Sequence, residues 1–80
     1  PHRPMPIGAF SYDRTWDEIE EMLALAEERK QDWKKCYDLC RIESDKGGMK
    51  DAARNFKALE GVEKTLRWVL GQKGIEHPLD

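Results

Sequence analysis

A chain of 80 residues with 38% charged and 39% hydrophobic side chains is too apolar and too regularly patterned for disorder, and it buries only about 60% of the surface its unfolded form exposes. A formal net charge of −2 provides no overall attraction to nucleic acid or anionic lipid, and there is no apolar run long enough to span a bilayer and no secretory leader pattern. These features point to one small, surface-rich helical domain that is soluble and cytoplasmic and whose core needs supplementing from elsewhere.

Residues 1–14, PHRPMPIGAFSYDR, hold three of the four prolines and read as an extended arm, because proline lacks an amide donor and disfavours helix in the residue before it. The opening Pro1 and the methionine at position 5 allow Pro1 to Pro4 to be a cloning remnant, with Met5 the natural start. Ile7, Phe10 and Tyr12 give the arm an apolar content that suits lying along a helical surface.

Thr15-Trp16-Asp17-Glu18 is a capping box, so a helix is predicted to start at Trp16, with Asp17, Glu18, Glu20 and Glu21 favouring the positive end of its dipole. Trp16, Ile19, Leu23, Ala26, Trp33, Tyr37 and Cys40 recur at steps of three and four, interrupted at Lys30. Met22, Leu25, Cys36 and Leu39 widen that stripe beyond what one partner helix covers. Carried to Lys46, this helix would be about 46 Å long.

Gly47-Gly48 is predicted to reverse the chain, since paired glycines tolerate a left-handed cap; the alternative is a single long helix kinked there. A second helix follows from Met49 to Leu70, about 33 Å long. Its stripe is Ala52, Phe56, Leu59, Val62, Leu66 and Val69, and Ala58, Gly61 and Thr65 make a small-residue patch beside it. An antiparallel hairpin over residues 15–71 would set Trp33 about level with Val62, and Glu27 and Glu28 level with Arg67. Gly71 and Gly74 end the helix, and residues 72–80 form a short extended tail placed to cover Trp16 and Ile19.

Chemistry-bearing constellations are sparse. Cys36 and Cys40 share a helical face, but His2 and His77 have no ligand spacing with them, so the pair reads as reduced thiols packed as small apolar groups, with no metal or other cofactor. The chain has no Ser-His-acid set in a plausible context, Gly-rich phosphate loop or HExxH, and it reads as a non-enzyme. Lys34, Lys35, Arg41, Lys46, Lys50, Arg54 and Lys57 cluster toward the turn end, and the stretch from Asp17 to Glu28 makes the opposite end acidic. The basic end is a candidate phosphate-binding surface, diluted by Asp38, Glu43, Asp45 and Asp51.

The run ALEGVEKTLRWVLG followed by the HPLD ending resembles the close of small uncharacterised helical proteins encoded by bacteriophages and prophages, over about a quarter of the chain. That resemblance attaches no functional residues and implies a small accessory or regulatory protein that acts by binding. The expectation is an all-α hairpin that assembles as a homo-oligomer, most simply a two-fold dimer forming a four-helix bundle, and binds a protein partner. Trp16, Ile19, Trp33, Tyr37, Phe56, Gly61 and Trp68 are the candidate interface residues. Nucleic-acid or nucleotide binding through the basic end is the competing reading.

Overall fold

The protein is described by a computed structural model over residues 13–80, and the arm expected over residues 1–14 lies outside these except for Asp13 and Arg14. Two helices, α1 (Trp16–Ile42) and α2 (Lys46–Val69), pack against each other as an antiparallel hairpin, with no strand among the described residues. None of the described helices is long and apolar enough to cross a membrane.

The capping box forms as the sequence predicts. The Glu18 amide donates to Thr15 Oγ1 at 3.1 Å, the Thr15 amide donates to Glu18 Oε1 at 3.4 Å, and Arg14 adds an ion pair to Glu18 at 3.3 Å. These contacts satisfy amides that a helix start otherwise leaves unpaired.

The reversal does not lie at Gly47-Gly48. α1 stops at Ile42, and the chain turns through Glu43, Ser44 and Asp45, so the glycines fall in the first turn of α2. Ser44 takes the left-handed conformation (φ 57°) that ordinarily falls to glycine. Its amide donates to the Arg41 carbonyl at 3.2 Å, and the Asp45 amide donates to the Cys40 carbonyl at 2.8 Å, which is the Schellman pattern. Asp45 serves twice, because its carboxylate also caps α2 by accepting the Gly48 amide at 2.9 Å. Glycine at 48 leaves room that a side chain would take: a Cβ there would lie 2.5 Å from the Asp45 carboxylate and 2.6 Å from Cys40 Sγ, so these side chains would have to shift. With the early reversal the helices have 27 and 24 residues, much closer in length than the sequence suggested.

α2 ends in a second Schellman motif, with Gly71 at φ 75° and the Gln72 amide donating to the Arg67 carbonyl at 3.1 Å. The tail beyond it contains turns and folds back on α2. His77 stands edge-on to Trp68 with ring centroids 5.2 Å apart, and Glu76 pairs with Lys64 at 3.8 Å. It therefore does not cover Trp16 as expected: Trp16 stays 64% exposed, and only Leu70 and Gln72 from this region share its groove.

Between the helices, Leu23, Ala26 and Ala52 are the buried apolar side chains among the described residues. Phe56, Leu59 and Leu66 are half-buried along the same seam of α2. Val69, assigned by spacing to that seam, is turned out, and in the C-terminal half of α2 the buried position is held by Glu63, next to half-buried Val62. Among the described residues, three buried apolar side chains, two of them alanines, make a small core, and most of the remaining apolar burial is the partial burial along this seam, at about 25 cal/mol per Å².

Candidate interaction surface

The two flanks of the hairpin seam differ in chemistry. One is a chain of charges. Lys30, which interrupts the stripe of α1, reaches Glu63 at 2.7 Å; Glu63 is 2% exposed and also meets Arg67 at 3.5 Å, and Arg67 in turn meets Glu27 at 2.9 Å. The Lys30 ammonium also lies 5.6 Å from the centre of the Phe56 ring. Every carboxylate in the network therefore has a cation, which a buried Glu63 requires, since an uncompensated charge there is costly. The expected meeting of Arg67 with Glu27 is observed, whereas Glu28 makes no ion pair among the described residues.

The other flank is apolar. Met22, Leu25 and Leu39 of α1 are 55%, 48% and 60% exposed, with half-buried Cys36 between them. On α2 the same side presents Ala58, Val62 and Thr65, which line a groove with Met22, and Pro78 of the tail borders it. An apolar flank, interrupted on α1 by exposed Arg29 and Asp32, on a domain with so small a core is the kind of surface that association covers.

Of the interface candidates, Ile19, Trp33, Tyr37 and Phe56 are half-buried. Tyr37 and Phe56 line a shallow groove on the charged side, while Ile19 shares one with Met22 and Leu66 on the apolar side. Gly61 lies in the Met22 groove, with nothing near enough to contact an added Cβ. Trp16 and Trp68 stand apart at the open end, and Trp68 supports the tail. The structure therefore does not gather these seven residues onto one surface. Sequence reasoning missed Glu63, for which the available signal was Lys30: a cation inside one apolar stripe calls for an anion in the facing one.

The basic candidates are all exposed. Lys46, Lys50, Arg54 and Lys57 follow one another at steps of four, four and three along the outward side of α2, and Lys34 of α1 reaches the groove beside Lys57, where Asp38 and Glu60 also sit. Lys35 and Arg41 lie on α1 outside that groove.

Cys36 and Cys40 are free, and among the described residues no three His, Cys, Asp or Glu side chains converge on a point. Burial pushes the Cys40 thiol pKa above its ordinary value, and the Cys36 thiol and the Asp45 and Glu43 carboxylates push it the same way. Cys40 therefore stays protonated, as suits a packed thiol beside Gly48. No family model, no curated protein and no solved structure matches this chain.

Proposed function

We propose that this protein is a self-associating helical interaction module, acting by binding rather than catalysis and pairing with a second copy through the apolar flank of its hairpin. The observation that carries this reading is the imbalance between a core of Leu23, Ala26 and Ala52 and the exposed Met22, Leu25 and Leu39 on one side. Burying a large apolar side chain is worth about 1.5–3 kcal/mol, so pairing two such flanks supplies what each chain lacks. Each copy would contribute an acidic open end and a basic turn end to the surface offered to a protein partner, in keeping with a small accessory or regulatory role. Light scattering across a hundredfold concentration range should give the mass of a dimer that dissociates on dilution, with a melting temperature that rises with concentration. A monodisperse monomer with a concentration-independent melt would overturn it.

A second reading draws on the outward row Lys46, Lys50, Arg54 and Lys57, which could track the phosphates of a nucleic acid. It requires binding to mixed-sequence DNA or RNA that weakens steeply with salt and is lost when these four residues are neutralised together.

A further inference from the structure

Resting on the self-association just proposed, we infer the geometry of the pair: a second copy docks on α1 in antiparallel orientation, about a two-fold axis level with Lys30 and Glu63. The outer stripe of α1 is Met22, Leu25, Arg29, Asp32, Cys36 and Leu39, at steps of three, four, three, four and three, about a quarter turn from the stripe that faces α2. Read from either end it has the same order: two apolar residues, two charges, two apolar residues. Reversing one copy sets Met22 against Leu39, Leu25 against Cys36 and Arg29 against Asp32, and the two-fold repeats each contact. In a parallel pair Arg29 would meet Arg29 and Asp32 would meet Asp32. Both are exposed and make no ion pair among the described residues, so each is free to take a partner across the interface. Charges inside an otherwise apolar helix seam are the established means of fixing orientation.

Two independent features agree with this axis. On α2, Ala58, Val62 and Thr65 line the Met22 groove, and the helical spacing continues to Val69 beyond it, giving steps of four, three and four centred between residues 63 and 64. The pattern on α1 is centred between residues 30 and 31, and the Lys30–Glu63 ion pair places these two centres at one height, so a single axis serves both helices. Along α1, residues 16–28 carry six carboxylates and no cation, whereas residues 29–42 carry five cations and two carboxylates. Antiparallel docking lays each acidic half on a basic half, and parallel docking would stack like on like.

The test uses the full chain with Cys40→Ser and Leu25→Cys, oxidised with copper phenanthroline and mapped by peptide mass spectrometry, with light scattering on the parent. The expected product is a dimer closed by disulfides joining the introduced thiol of one copy to Cys36 of the other. Links between identical positions, or a dimer in which the expected link is absent, would overturn the antiparallel geometry and leave self-association standing; a monomeric parent would overturn both and mean that the flank is covered within the chain. Charge exchange is a second, covalent-free measurement. Arg29→Asp or Asp32→Arg alone should weaken association at least about tenfold, and the two together should restore it to within about threefold of the parent. Weakening by the double variant as deep as by either single one would count against the proposed pairing.

Discussion

The two flanks of this hairpin are made from the same helices and solve different problems. On one, Glu27, Arg67, Glu63 and Lys30 form a closed charge chain in which buried Glu63 has two cations. On the other, Met22, Leu25 and Leu39 are left in water. Ion pairs with particular partners fix how α1 and α2 register while adding little net stability, whereas apolar area adds stability with almost any partner. The contrast teaches that in a chain this short, the side carrying specificity within the fold need not be the side that carries the energy of the assembly proposed above.

The largest effect should come from breaking the charged flank. Lys30→Met leaves Glu63 buried with Arg67 alone, at 3.5 Å, and should cost about 3 kcal/mol in denaturant unfolding at fixed protein concentration. Lys30→Met with Glu63→Leu should recover most of that loss or exceed the parent, because well-packed apolar residues commonly replace a buried ion pair without penalty. A double variant as unstable as the single one would mean that the charges themselves hold the hairpin together.

Breaking the apolar flank should act on association. Leu25→Glu is nearly half exposed within one chain, so helicity should persist at high dilution while dimer affinity falls by about 2 kcal/mol, roughly thirtyfold. Equal loss of fold and of association would place Leu25 in the intrachain core instead.

The seam was legible because local rules agree there: the capping box, the two stripes at steps of three and four apart from their ends at Trp16 and Val69, and the Glu27–Arg67 meeting appear as the residue pattern requires. Glu63 was not, since the rule that charged residues face water places Val62 in the seam, and only the ion pair with Lys30 makes a buried glutamate tolerable. The turn was misplaced for a related reason. Glycine signals both conformational freedom and lack of a side chain, and at Gly48 the second matters, while the left-handed residue is Ser44, whose type carries little signal for it. The interface candidates scattered because aromatic identity was weighed above flank, and the exposed flank consists of Met and Leu.

The turn gives a smaller test that should touch both flanks equally. Ser44→Gly removes the penalty of a side chain at φ 57° and should stabilise the hairpin by about 1 kcal/mol. Gly48→Ala should destabilise it by about 1–3 kcal/mol, because Asp45 or Cys40 must move to admit a methyl group. Thermal melts of the two variants should thus shift in opposite directions. Loss of stability in Ser44→Gly would show that the serine contributes something the backbone geometry does not account for.

The smallest effect lies at the open end, in the cap of α1, and it depends on pH. The Thr15 amide, the Thr15 hydroxyl and Arg14, in that order, hold the Glu18 carboxyl pKa below its ordinary value. The unfolded chain therefore binds this proton more readily than the folded one. The capping contribution is complete above the unfolded pKa of about 4.3, and it is lost as pH falls through the lowered folded pKa. Glu18→Gln keeps a group able to accept the Thr15 amide but removes the charge, so the variant should fray slightly more than the parent at pH 7 and match it near pH 2. Hydrogen exchange of the Ile19 amide, which donates to the Thr15 carbonyl at 3.1 Å in the first turn, reads this directly. A difference between parent and variant that stays constant from pH 7 to pH 2 would assign the cap to geometry alone and leave the carboxylate's charge without a role in starting α1.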